Sequence, residues 1–244
     1  MRTVRLSHAS VFEGPLRIIN RWSPLRGDTR PPLSFVSADI QLEAKACCAL
    51  QACLQAAGLT KEIVPVSGWR SRAQQQQIWD ESLAENGESY TRCYVAPPAC
   101  SEHEAGLAID LAKKAAHIDF ICPAFSYDGA CGLFRREAAR FGFIERYQKD
   151  KEAVTGISAE PWHFRYVGLP HARLIEKNGL CLEEYPGFLA ANARQVSLAD
   201  GNTARVFYVP CEREGVTLTL PETPFEISGD NQKGFIVTVW EGCL

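Results

Sequence analysis

Ser101-Glu102-His103-Glu104-Ala105-Gly106-Leu107-Ala108-Ile109-Asp110 carries the residues that decide this chain's fold and chemistry. Two side chains of metal-ligand type, His103 and Asp110, bracket a short apolar run. About fifty residues downstream, Glu160-Pro161-Trp162-His163 sets a carboxylate three positions before another imidazole. Catalytic zinc takes three protein ligands from neutral imidazoles, carboxylates or thiolates and leaves one position to water. His103, Asp110 and His163 would make such a set. Glu160 is then free to take a proton from water and return it to a leaving amine.

The local pattern is consistent with that role. Leu107, Ile109 and Leu111 alternate with Ala108 and Asp110, the period of a strand buried on one face, so Asp110 points away from the side carrying Leu107 and Ile109. Gly106 marks a bend between His103 and this strand. On a helix two ligands seven positions apart would also share a face, so spacing alone does not choose the element. At the second motif Pro161 disfavours a helix interior and makes an extended or loop segment the better reading than a helical H-E-x-x-H. Each fragment alone is a weak signal. An isolated Glu-x-x-His is common, and a lone His on an apolar segment is more often a hydrogen-bonded core residue than a ligand.

The two together are specific. Ser-x-His-x-x-Gly-x-Ala-x-Asp followed by Glu-Pro-Trp-His-Phe-Arg-Tyr-Val-Gly resembles the zinc D,D-peptidases of the VanY and VanXY type. Three further segments agree: Ser67-Gly68-Trp69-Arg70-Ser71 with Gln75, Tyr94-Val95-Ala96-Pro97-Pro98, and Phe141-Gly142-Phe143-Ile144 through Thr155-Gly156-Ile157. The resemblance covers roughly residues 35 to 170. It implies that His103, Asp110 and His163 hold Zn2+, that Glu160 is the general base, and that Arg70 polarises the scissile carbonyl and stabilises the oxyanion. It also implies that Ser101 and Trp162 contact substrate and that Gln75 sits at the pocket wall. Trp69 stands where a Tyr is commoner in the family.

The implied activity is hydrolysis of D-Ala-D-Ala, as the free dipeptide or at the C-terminus of muropeptide precursors, in peptidoglycan metabolism and glycopeptide (vancomycin) resistance. Two other functions share the ligands. One is an L-Ala-D-Glu wall endopeptidase, which would usually need export or a wall-binding repeat. The other is a non-catalytic module that keeps the metal site for binding, as hedgehog-like relatives do. Glu160 argues against the latter, because binding needs ligands but no base.

Bulk properties set outer bounds. At 244 residues the chain accommodates one good-sized domain, or one domain and a small appendage. Its 46% hydrophobic and 23% charged residues are those of an ordinary soluble globular protein. A formal net charge of −3 offers no basic field to nucleic acid or anionic lipid, and the partner the resemblance implies is a small peptide or muropeptide precursor. There is no run of about eighteen apolar residues to span a membrane. The N-terminus lacks the apolar core of a secretory signal, which makes the cytoplasm the expected location. The ten cysteines, with no C-x-x-C pair, read as reduced thiols. Cys100, beside Ser101, reads as a small buried residue near the pocket, with a redox-sensitive thiol as the other option. Nothing in the sequence specifies an oligomeric state.

Along the chain, residues 1–36, rich in Arg and Pro, read as an irregular arm with one strand at most. Residues 37–196 read as the peptidase domain, an α+β fold with helices packed on an antiparallel sheet. A helix is expected over 38–57, stopped by Gly58, and then a strand at 63–66 that delivers Arg70 at its end. Ser71 caps a helix over 72–85, and 86–98 reads as a pocket-lining loop. The stretch 113–129, with His117, Asp119, Cys122 and Asp128, fits no ligand set, and the family suggests a substrate-selecting loop. A helix over 134–141 closed by Gly142 leads to a hairpin-like approach to Glu160. Pro170 opens a helix running to about 191, where His171 reads as a solvated or capping residue. Residues 197–244 read as a β-rich appendage, with strands at 204–209, 216–220, 225–228 and 235–240.

Overall fold

The structure, a computed structural model, describes residues 1–28, 30–198 and 201–241. In chain order its strands are β1 (Arg2–Leu6), β2 (Leu33–Phe35), β3 (Gln41–Glu43), β4 (Ile63–Ser67), β5 (Ala108–Lys113), β6 (Phe143–Tyr147), β7 (Glu160–Tyr166), β8 (Arg194–Ser197), β9 (Thr203–Pro210), β10 (Val216–Leu220), β11 (Phe225–Gly229) and β12 (Gly234–Glu241). Its helices are α1 (Ala44–Ala56), α2 (Arg72–Tyr94), α3 (Gly129–Ala138), α4 (Glu152–Thr155), α5 (His171–Lys177) and α6 (Tyr185–Ala191). No helix among the described residues is long and apolar enough to cross a membrane.

Two compact units emerge, and they divide the chain differently from the expected arm, domain and appendage. One spans residues 19–181; the other joins 1–18 to 182–244. The reason is β1. Rather than lying irregularly, it pairs antiparallel with β10 from Arg2↔Leu220 to Leu6↔Val216, because each strand needs a partner for its backbone N–H and C=O groups. The four strands expected after residue 197 all form, but β9, β11 and β12 join β8 in a separate sheet of order β11-β12-β9-β8. Val11, Phe235, Val237 and Val239 are buried in the core of this unit.

The 19–181 unit is the α+β fold expected. Its sheet, of order β4-β5-β7-β6, is antiparallel throughout. Pro65, which cannot donate to a ladder, sits on β4, an edge strand where that lack is tolerated. Ile109 and Leu111 of β5, Phe143 of β6 and Phe164 of β7 face Leu50 and Cys53 of α1 and Phe134 of α3. Phe134 and Phe164 meet edge to face at 4.9 Å, with Phe125 against both. Burying such side chains stabilises by about 2–3 kcal/mol each. Ile109 and Leu111 thus share the helix-side face and Asp110 is left on the opposite one, but Leu107 precedes the strand and packs with Ile19 and Ala105, and β5 is buried on both faces rather than one.

Three local expectations change. The first helix begins at Ala44, because the Glu43 carboxylate accepts hydrogen bonds from Lys45 N (2.9 Å) and Ala46 N (3.1 Å) and fixes the start there. The supposed loop 86–98 is helical as far as Tyr94: Gly87, at φ 79°, kinks the chain, after which Glu88 and Arg92 pair one turn apart at 2.8 Å. The helix opened at Pro170 ends at Lys177, and His171 is buried rather than solvated, its pKa pushed down by burial to about 3.

Candidate active site

All eight residues singled out from the sequence line one cleft of about 600 Å³ including its open mouth. The sheet register builds its centre. Asp110 on β5 and His163 on β7 are direct cross-strand partners, so two residues far apart in sequence become neighbours on the face turned away from the helices. Glu160 belongs to the same strand as His163, and on a regular strand residues three apart point to opposite faces. A register shift opposite Glu145 and Tyr147 breaks that alternation and brings Glu160 Oε2 within 3.5 Å of His163 Nδ1.

His103 reaches the cluster from the 3-10 turn Glu102–Ala105, which closes on Gly106 at φ 68°, a left-handed conformation that glycine adopts without strain. Its Nδ1 donates to the carbonyl of Gly68 at 2.7 Å, leaving the Nε2 lone pair 3.2 Å from Asp110 Oδ2. Gly68 has to be a glycine, because a Cβ there would run into the Gln41 carbonyl and Ile40.

The donor atoms of His103, Asp110 and His163 all lie within 4.8 Å of one another. Ligands 2.0–2.1 Å from a tetrahedral zinc stand about 3.3 Å apart. Asp110 Oδ2 stands 3.2 Å from His103 Nε2 and Asp110 Oδ1 3.1 Å from His163 Nδ1, each near that spacing. Asp110 Oδ1, although buried, makes no hydrogen bond among the described residues even with His163 Nδ1 so near. Close donor atoms not aligned on each other are the arrangement a shared cation requires, and the set fits zinc.

Electrostatics separates the two carboxylates. Burial would raise Asp110, but His103 and His163 outweigh it and hold the carboxyl well below its usual range. Glu160 is pushed up to about 8, by burial first and by Asp110, against the pull of His163 and Arg70. Burial and the Arg70 charge push His103 down to about 4, so it is neutral and able to ligate. His163 rises to about 9 because Asp110 and Glu102 outweigh its burial.

Arg70 follows β4 and lies 3.5 Å from Asp110 Oδ2 through Nη2. Its Nη1 donates to Gln75 Oε1 at 3.2 Å, and Gln75 in turn donates to the Ala96 carbonyl at 2.7 Å. Gln75 thus braces the guanidinium. Ser101 is buried at the cleft floor, and Trp162 lines the cleft while packing on the helix-side core. Cys100 is buried, with its thiol pushed up by burial.

Sequence reasoning missed Glu102, Arg146 and Arg165, all fully buried behind His163. Glu102 Oε1 accepts from Arg146 Nε at 2.8 Å and from Arg165 Nη1 at 2.5 Å. It also missed Tyr147, whose ring lies 4.9 Å from that of His163. In the segment 113–129, Phe120 and Ile121 line the cleft, and His117 is not among the donor cluster.

Chemically the cleft is that of a metal-dependent hydrolase. The profile of the VanY family, described as D-alanyl-D-alanine carboxypeptidase, matches residues 39–169, and the chain belongs to that family. It is 44% identical over 185 residues to the bifunctional D-Ala-D-Ala dipeptidase and D-Ala-D-Ala carboxypeptidase VanXYC of Enterococcus gallinarum, covering 74% of this chain and 97% of that protein. The crystal structure of the vancomycin-resistance D,D-dipeptidase VanXYg with a D-Ala-D-Ala phosphinate analogue superposes with a TM-score of 0.95 at 42% identity, covering 98% of this chain and 99% of that one. A point mutant of the vancomycin-resistance D,D-pentapeptidase VanY from a VanB-type cassette, in complex with Zn(II), matches at TM-score 0.61 and 33% identity over 71% of this chain and 99% of that one. The chain is an enzyme, not a binding module on the same fold.

Proposed function

We propose that this chain is a zinc-dependent D,D-peptidase acting on D-Ala-D-Ala, both as free dipeptide and at the C-terminus of muropeptide precursors. The carrying observation is the donor cluster of His103, Asp110 and His163, with Glu160 3.5 Å from one of its imidazoles. Zinc held by these three residues would supply Lewis-acid polarisation of a carbonyl and acidify water.

The chain's own groups do the rest. Glu160 takes the proton of the attacking water and hands it to the departing amine; burial raises its carboxyl pKa, which suits it to hold a proton between the two transfers. Arg70, braced by Gln75, stabilises the negative charge that develops on the carbonyl oxygen. Ser101 and Trp162 hold the peptide in the cleft, whose apolar wall includes Phe120 and Ile121. The D,D preference and the double substrate range are supported by family membership and by the bifunctional relative. Removing D-Ala-D-Ala would deplete the target of glycopeptide antibiotics. Free thiols, with Cys48 and Cys93 exposed, support a reducing compartment such as the cytoplasm.

The test incubates zinc-loaded protein with D-Ala-D-Ala, L-Ala-L-Ala and a pentapeptide ending in D-Ala-D-Ala, following free alanine. Release from both D,D substrates is expected. Release from the all-L compound alone would overturn the assignment.

A further inference from the structure

We infer that Glu102 is a positioning residue for the metal centre, orienting His163 by accepting a hydrogen bond from its Nε2 so that Nδ1 faces the cation. The inference rests on the metal ligands proposed above.

Glu102 Oε1 is taken by Arg146 of β6 and Arg165 of β7, so adjacent strands clamp one end of the carboxylate. Oε2 is buried and makes no hydrogen bond among the described residues. The same is true of His163 Nε2, which lies 3.5 Å from it. Each is thus the other's near counterpart, and a shift of about half an ångström brings them into hydrogen-bond range. A buried N–H left unpaired carries its full desolvation penalty, so closure is favoured.

This also gives the buried charges a purpose. Apolar side chains of similar volume would hold the strands together as well, because desolvating each ion costs several kcal/mol. They could not offer an imidazole N–H an acceptor fixed in place. Metal-ligating imidazoles commonly donate their second N–H to a carboxylate or carbonyl, which sets tautomer and ring orientation. His103 has the Gly68 carbonyl for this. His163 has Glu102, and Glu102 adjoins His103 in one turn, so that turn supplies one ligand and steers another.

Two measurements test the proposal. In zinc-loaded wild type labelled with 15N at histidine, His163 should show metal-bound Nδ1 and a protonated Nε2 whose hydrogen exchanges slowly with solvent. Metal on Nε2, or an Nε2 hydrogen exchanging as fast as that of an exposed imidazole, would overturn it. The second compares Glu102→Gln/Arg146→Met with Arg146→Met alone. The double variant retains the native +1 charge of the three-residue cluster, so folding is preserved better than in Glu102→Gln. Its amide oxygen is claimed by Arg165, which turns the NH2 toward His163 and removes the acceptor. By chelator competition the double variant should bind zinc about 10–100-fold more weakly than the single one. Equal affinities would refute the role of Glu102 and leave the ligand set standing. Failure of wild type to bind zinc at all would remove the ligand set, and this inference with it.

Discussion

Arg70→Ala separates transition-state stabilisation from metal binding. The guanidinium is mostly buried at the end of β4, braced by Gln75 at 3.2 Å and only 3.5 Å from Asp110. A preorganised donor to a developing oxyanion contributes about 3–4 kcal/mol. At 1.36 kcal/mol per decade, its removal lowers kcat roughly 150- to 1000-fold. The same change removes a cation whose gross attraction to Asp110, over 3.5 Å at an effective dielectric of about 20, is near 5 kcal/mol. Asp110 then has less positive charge beside it, so zinc affinity should hold or rise while turnover collapses. The assay follows D-alanine release at saturating zinc, with metal content and thermal unfolding measured on the same samples. Arg70→Lys, which keeps the charge but not the planar fork, should fall between the two. A fully metallated Arg70→Ala within about threefold of wild type would refute the reasoning, and so would activity lost in step with zinc.

Glu160→Gln should lower kcat by about 10²–10⁴ while zinc content stays full, because the amide can neither take nor return a proton; retained turnover would remove Glu160 as the base. His171 has its pKa pushed from 6.5 down to about 3, so wild type is fully stabilised above 6.5 and loses stability as pH falls below it, about 2 kcal/mol by pH 5. In urea unfolding at pH 7.5 and 5.0, His171→Gln should show a correspondingly smaller loss, and identical losses would contradict the assignment. Gly106→Ala forces a side chain into φ 68° with its Cβ 2.9 Å from Glu43 N, which should cost about 1–3 kcal/mol and weaken zinc binding by displacing His103; unchanged chelator competition would show that the turn does not fix this ligand.

What could be read from the sequence was whatever depends on local period. Alternation over 107–111 placed Asp110 opposite Ile109, and Pro161 kept Glu160 and His163 out of a helix; both hold in β5 and β7. Proximity between Asp110 and His163 is a matter of strand register, which no spacing in one chain discloses. Only the resemblance supplied it. The shift opposite Glu145 and Tyr147 that turns Glu160 onto the face of His163 is equally non-local. Glu102, in a polar run between Ser101 and His103, and Arg165, between Phe164 and Tyr166, were passed over because charged residues in a turn or in an alternating strand read as the solvent side. Here that side is the metal-bearing face, closed to water behind His163, so the rule that normally points charges outward directs them inward. The pairing of β1 with β10 escaped for a related reason: each segment alone is a short polar-apolar alternation, and a partner lying over two hundred residues away leaves no local trace. Non-local pairing therefore hides both the domain division and the second layer of the site: β1 stays largely exposed and is placed by its backbone ladder to β10, whereas Arg146 and Arg165 are buried because β6 and β7 meet over Glu102.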